Sequence, residues 1–316
     1  MARPRVFVAR RMLDPIRAEL EASFDLDLHD SREPLPADEL AARAAGCDGV
    51  VVITSDRADA ALLDAAGPRL RVVANHGVGH DNVDVAAATA RGVLVSYTPG
   101  VLTETVAELT IALALSLLRR VTEGDRVLRR GQAWPFGFNA FLGRGLDGLL
   151  LGLVGHGRIA QATERLARAH GMEVVHSSRR GGLPLDDLLA RADVVSLHLP
   201  LTPESRHLID ARALSLMKPE AVLVNTSRGP IVDEAALAAA LAAGRPGGAA
   251  LDVFEREPEV TEALLGLENV VLAPHIGSAT VTTRTAMGML CVEALRAVLL
   301  EDRVPSNALN PEVWRR

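Results

Sequence analysis

Aromatic side chains are scarce in this 316-residue chain: six phenylalanines, two tryptophans and one tyrosine. Cysteine is scarcer still. Cys47 and Cys291 stand far apart without CxxC spacing, which excludes a disulfide framework, gives no zinc pattern and fits a reducing cytoplasm. His29, His76 and His207 have no second ligand at metal spacing, so no metal is expected. A basic block is also missing. The formal net charge is -6, and pairs such as Arg119-Arg120 and Arg129-Arg130 read as solvated helix ends, so no nucleic-acid surface is expected. The longest apolar stretch, around Leu109 to Leu118, falls short of the ~20 residues that span a bilayer. No apolar core of signal-peptide length precedes Asp14. The expectation is a soluble cytoplasmic protein with no membrane partner.

What is present is a regular alternation. Short β-branched runs ("RVFVA", "DGVVVI", "LRVVAN", "LLLGLV", "MEVVHS", "DVVSLHL", "AVLVNT", "GGAALDV", "NVVLAP") read as buried parallel strands. Between them, Pro36 to Ala45, Gln161 to His170 and Glu234 to Ala243 carry helical apolar spacing. Strand-helix alternation over this length predicts an α/β chain with two Rossmann-like domains and parallel sheets. A long apolar helix, Val101 to Val121, reads as a buried connector, and a last helix, Ser278 to Leu300, as the return to the first unit. The predicted division is 1–98 plus 288–316, a discontinuous domain, against 99–287.

Only the second unit holds a phosphate-binding glycine motif, "LVGHGRIA". Gly155 permits the tight strand-to-helix turn and Gly157 lets backbone approach a pyrophosphate. Ala160 is small enough for close packing, and the N–H groups of Arg158 and Ile159 open the helix toward an anion. A ribose-binding acid is expected about 20 residues further on. That place reads "HSSRR": Ser178, then Arg179 and Arg180. A carboxylate there would hold the 2′-hydroxyl of NAD; two guanidinium groups suit a 2′-phosphate instead. The expected cofactor is NADP(H), with NAD(H) possible.

Three further residues follow strands in the C-terminal half: Arg228 in "VNTSRGPIVDE", Glu257 in "ALDVFEREP" and His275 in "VLAPHIGSAT". The carboxyl ends of strands in a doubly wound sheet face the ligand crevice, where these side chains can converge. Together they are what reduction of a 2-oxo acid needs. The Arg clamps the carboxylate, the imidazolium protonates the carbonyl oxygen, and the Glu orients the ring and favours its charged form.

These motifs, with "GHGRIA", "NHGVGHDNVD" and "SLHLPLTPESRHLI", closely resemble the D-isomer-specific 2-hydroxyacid dehydrogenases, in family order along nearly the whole chain. The resemblance implies a substrate domain beside a coenzyme domain, usually in a homodimer. It places Arg228, Glu257 and His275 at the catalytic positions and gives the backbone N–H groups of Val78 and Gly79 to the substrate carboxylate. It also sets His198, Pro200, Thr226, Ser227 and Gly277 on the nicotinamide side and Asp252 near the nicotinamide amide. "SYTPGVLTETVAEL" and "GMEVVHSSRR" are most similar to NADPH-preferring glyoxylate and hydroxypyruvate reductases. The chain departs from the family pattern at Ala160, where many relatives have Gly, and at His80, where relatives often have Tyr.

The implied function is NADPH-dependent reduction of a small 2-oxo acid, glyoxylate or hydroxypyruvate. The alternatives are an NAD-dependent 2-hydroxyacid or phosphoglycerate dehydrogenase, a non-enzymatic NAD(H)-sensing scaffold, and an adenosylmethionine-dependent methyltransferase. The methyltransferase would want an acid where Ser178 stands. Trp134, Phe136, Phe138 and Phe141, crowded into "WPFGFNAFLG", fit either a small buried cluster or, as the resemblance suggests, a dimer-interface loop.

Overall fold

The computed structural model describes residues 3–314. Met1, Ala2, Arg315 and Arg316, at the ends of the first expected unit, lie outside the described residues. The chain divides into two compact α/β units, one running to Leu102 and resuming at Ala279, the other spanning Thr103–Ser278.

The first unit is built on a parallel sheet of five strands: β1 (Arg5–Val8), β2 (Asp25–Leu28), β3 (Gly49–Ile53), β4 (Val72–His76) and β5 (Leu94–Ser96), in the order β2-β1-β3-β4-β5. Successive strand residues point to opposite faces. Phe7, Val50 and Val52 therefore enter one core, while Val6, Val8 and Val51 enter another. The helix Val281–Leu299 seals the second of these cores with Cys291, Val292, Leu295 and Val298. Its Gly288 lies against Ile16, where a Cβ would come within 2.2 Å of the Cδ1 atom. This helix packs along its length on the first unit, so the chain returns after Ser278 and not at 288. The outward crossing likewise follows Leu102 and not residue 98.

The second unit carries β6 (Leu150–Val154), β7 (Glu173–Ser178), β8 (Gly181–Gly182), β9 (Val194–Leu197), β10 (Val222–Asn225), β11 (Gly248–Leu251) and β12 (Val270–Leu272). Their order is β12-β11-β10-β9-β6-β7-β8, parallel throughout except for β8, which pairs antiparallel with β7. The direction of winding reverses between β6 and β9. Such a switch point opens a crevice at the carboxyl ends of the two strands. Leu151, Leu153 and Val224 fill one face of the sheet; Val154, Leu197 and Leu223 fill the other.

The long connector is shorter than its apolar pattern implies. It is helical over Thr103–Leu118 and then breaks, because Arg120 is left-handed (φ 55°) and a second helix, Val121–Arg129, begins there. The break is tertiary in origin. Arg144 N–H donates to Leu118 O at 2.9 Å, ending the helix from outside. Arg120 folds onto Glu123 through two hydrogen bonds of 2.6 Å. Beyond these helices the "WPFGFNAFLG" segment has no regular structure, and Phe136 and Phe138 are 93% and 98% exposed. A small buried cluster is therefore not what these aromatics form. Among the described residues, no helix is long and apolar enough to cross a membrane.

Candidate active site

The glycine motif sits at the switch point. Gly155 ends β6 with φ +94°, and a Cβ on it would lie 2.3 Å from His198 O at the end of β9. Only glycine combines that dihedral with that approach. Gly157 has a different reason to be small. Its φ is an ordinary -80°, and a Cβ there would meet nothing within 4 Å. The space in front of Gly157 is thus left open by the protein. Gly157 is also the N-cap of the helix Arg158–Ala169 and offers no side-chain acceptor to its first turn. Those N–H groups remain available to an anion. Ala160 is fully buried, consistent with close helix-sheet packing at the third motif position.

The "SSRR" stretch forms a two-residue hairpin turn between β7 and β8, with Ser178 opposite Gly181 and Ser177 opposite Gly182. The turn depends on the glycines that follow. Gly182 has φ +100°, and a Cβ on it would lie 2.1 Å from His176 O. Ser178 Oγ donates to Gly181 O at 3.0 Å and accepts from Arg180 N–H at 3.3 Å, so the hydroxyl is used within the turn. Arg179 and Arg180 project from its tip, both exposed. Neither guanidinium has an ion-pair partner within 4 Å among the described residues.

Across the switch point, His198 is half-buried with Nε2 2.9 Å from Ser196 Oγ, and burial pushes its pKa down to about 3. It is a neutral wall at neutral pH. Pro200 follows it, exposed. At the end of β10, Thr226 shares a 3.0 Å hydrogen bond with Thr110, and Ser227 Oγ donates to Leu197 O at 2.6 Å. Asn225 closes this turn by accepting from Ser227 N–H and donating to Arg228 O. Gly229 then presses directly on the backbone of Phe254 and Glu255, where a Cβ would come within 1.9 Å. That contact fixes the Arg228 loop against the loop that bears Glu257.

Glu257 and His275 meet. His275 Nδ1 lies 2.7 Å from Glu257 Oε2, and Glu257 Oε1 accepts from Phe254 N–H at 3.0 Å. Burial tends to raise the Glu257 pKa. The hydrogen bond and charge of His275, the Phe254 N–H and the nearby Arg228 charge outweigh it, and the net shift is downward. Arg228 thus acts electrostatically on the carboxylate that His275 touches. His275 itself is left-handed (φ 52°). Its conformation is held by Asp252, whose two oxygens accept from Ile276 N–H at 2.7 Å and Gly277 N–H at 2.8 Å. Asp252 is 1% exposed, and burial raises its pKa against the pull of those N–H groups. The carboxylate expected beside the nicotinamide amide therefore has a structural task, clamping the His275–Gly277 turn. Sequence reasoning missed that task, because a charged residue after a strand does not show which N–H groups it accepts.

In the first unit, Val78 and Gly79 lie in the loop after β4. Asn75, fully buried, donates to Gly79 O at 2.9 Å and receives a hydrogen bond from Asn82 at 3.2 Å. This leaves the loop's conformation fixed by side chains. His80 packs edge-on against Tyr97 at 6.2 Å.

Comparison with known proteins identifies the family. Residues 111–277 match the model of the D-isomer specific 2-hydroxyacid dehydrogenase NAD-binding domain. Glyoxylate reductase of Aeropyrum pernix is 44% identical over 99% of this chain and 98% of its own length, and that of Korarchaeum cryptofilum 43% identical over 98% and 97%. Among solved structures, a Thermus thermophilus protein superposes with a TM-score of 0.91 at 44% identity, covering 96% of this chain and 99% of that one. The NADPH-dependent glyoxylate/hydroxypyruvate reductase of Sinorhizobium meliloti, in complex with NADP and malonate, gives 0.86 at 36% identity, covering 100% and 99%. The chain belongs to the D-isomer specific 2-hydroxyacid dehydrogenase family and is an NAD(P)-dependent oxidoreductase.

Proposed function

We propose that this enzyme reduces a small 2-oxo acid, glyoxylate or hydroxypyruvate, to the D-2-hydroxy acid with NADPH. The observation that carries the chemistry is the 2.7 Å contact between His275 and Glu257 beside Arg228. Arg228 clamps the substrate carboxylate. With Nδ1 held by Glu257, the free Nε2 of His275 carries the proton to the carbonyl oxygen. Glu257, held anionic, stabilises the imidazolium that makes the transfer.

The second unit fits a dinucleotide: Gly155, the open space at Gly157 and the N–H groups of Arg158 and Ile159 would hold its pyrophosphate. His198, Pro200, Thr226, Ser227 and Gly277, with Asp252 behind them, would border the nicotinamide end. When bound, the dinucleotide supplies the hydride for the carbonyl carbon. The preference for NADPH rests on the hairpin, whose tip presents Arg179 and Arg180 with Ser178 in place of an acid. The Sinorhizobium relative, described as NADPH-dependent and complexed with NADP, supports it. The first unit is then the substrate domain, and the exposed Phe136–Phe138 loop is the contact surface of a homodimer.

The test is a steady-state comparison of NADPH and NADH against glyoxylate, hydroxypyruvate, pyruvate and phosphohydroxypyruvate. Higher kcat/KM with NADPH and with the first two acids is expected. A strong NADH preference would overturn the role given to the arginines.

A further inference from the structure

A second polar cluster lies behind the loop that presents Glu257, and none of it touches His275. Its centre is Glu234, the first residue of the helix Glu234–Ala242 and only 3% exposed. Glu234 Oε1 accepts from Glu255 N–H at 2.6 Å, and Oε2 accepts the hydroxyl of Thr261. These donors stand on either side of Glu257 in the chain. One buried carboxylate therefore grips both feet of the loop.

The same loop is held from two other directions. Glu259 N–H donates to Arg256 O at 2.8 Å, tightening its tip. The Glu255 side chain pairs with His207 Nε2, and His207 N–H donates to Pro230 O at 2.8 Å. His207 thereby ties the Glu257 loop to the Arg228 loop. The charged groups that act on the Glu257–His275 pair include Arg228 and Asp252. Those around Glu234 are Glu255 and, through it, His207.

Burying a carboxylate is costly unless its oxygens are occupied, and a charged acceptor makes stronger and more directional hydrogen bonds than a neutral one. Mere closure of an eight-residue loop does not need that expense. Holding Oε2 of Glu257 at hydrogen-bonding distance from His275 does, because proton transfer tolerates little misplacement.

We propose that Glu234 is a positioning residue for the Glu257–His275 pair, fixing residues 254–261 so that the carboxylate meets Nδ1. The inference rests on the reading of that pair as the acid-base element.

The experiment compares E234A, E234Q and T261V with E257Q, by kcat and KM across pH, thermal melting, and the downfield Nδ1 proton of His275 in the NMR spectrum of the cofactor-free protein. In E234A, kcat for 2-oxo acid reduction should fall about tenfold. The KM for the dinucleotide should stay within about twofold. The alkaline limb of the kcat profile should move to lower pH, as in E257Q, and the Nδ1 resonance should vanish. E234Q keeps one oxygen for Glu255 N–H and should restore most of the activity. T261V should move the limb the same way by less, and it decides the matter if E234A does not fold. A folded E234A that melts earlier but keeps the wild-type pH profile and the resonance would make Glu234 merely structural. If E257Q loses the resonance yet keeps the pH profile, the acid-base reading fails while the positioning role stands.

Discussion

Glu257 and His275 are brought within 2.7 Å of each other from loops that follow two different strands, β11 and β12, which pair side by side. Glu257 is held by Phe254 N–H, and the His275 turn is clamped by Asp252, which opens the same loop that carries Glu257. The contact is thus a property of the sheet's order. Because Glu257 titrates below its ordinary range, it is anionic through the neutral region and meets His275 Nδ1 as a charged acceptor. Reduction needs a proton on His275, so activity falls as pH rises through loss of the proton. Removing the charge moves this limb to lower pH. E257Q should therefore lower kcat about tenfold or more and shift the alkaline limb downward. An unmoved limb would count against the pair.

Arg228 supplies a planar fork that a single ammonium cannot copy. One charge-assisted hydrogen bond is worth roughly 1.5–3 kcal/mol, so R228K should raise the KM for the 2-oxo acid by about tenfold to a hundredfold. The KM for the dinucleotide serves as the internal control. Wild-type kinetics in this variant would remove the carboxylate clamp from Arg228.

The hairpin makes a prediction that separates two cofactors differing by one phosphate. R179A/R180A removes both exposed guanidinium groups from a turn whose shape is set by Gly181 and Gly182. The KM for NADPH should rise by about tenfold or more, while that for NADH stays within about twofold. Parallel loss with both cofactors would mean that the arginines act on something common to them.

Arg228, Glu257 and His275 were legible because each stands next to glycine or proline in a loop that follows a strand: Arg228 before Gly229, Glu257 before Pro258, His275 after Pro274. The hairpin was not. A strand of two glycines, β8, has no β-forming side chain to announce it, and only pairing with β7 makes it one. The edge strand β2, "DLDL", and the three-residue β5 were hidden for related reasons, being polar or short. The Arg119-Arg120 pair reads as a helix end, but the apolar pattern runs on to Val121, and the hydrogen bond that stops the helix at Leu118 comes from Arg144, elsewhere in the chain. Local propensity cannot report a hydrogen bond made by a residue so far along the chain. The same holds for Asp252 and Glu234, whose partners are distant N–H and hydroxyl groups.

His198 gives the fold an acid sensitivity of its own. Its pKa is about 3 in the folded protein, lowered by burial, against roughly 6.5 in an unfolded chain. Between those values the unfolded state binds the extra proton, so stability is full above about pH 6.5 and declines as pH falls toward 3. The slope from one such group is at most about 1.4 kcal/mol per pH unit. His76, whose pKa burial also lowers, adds to the decline with the same sign. Replacing His198 by Gln should flatten the dependence of melting temperature on pH between about 6.5 and 5, where carboxylates contribute little. A curve parallel to wild type would show that His198 is not buried as a neutral ring.

Gly155 and Gly157 separate folding from binding within one motif. An alanine at 155 would combine φ +94° with a Cβ 2.3 Å from His198 O, and neither backbone can yield without pulling β6 from β9. G155A should cost about 2 kcal/mol or more, seen as a lowered midpoint in urea unfolding. At 157 the backbone is ordinary and a Cβ meets no protein atom. G157A should leave stability unchanged or raise it by about 0.5 kcal/mol, because alanine restricts the unfolded chain. Its methyl group would enter the open space proposed to take a pyrophosphate, so the KM for the dinucleotide should rise by about tenfold. A stable G157A with wild-type dinucleotide KM would show that the open space in front of the helix serves something other than the cofactor.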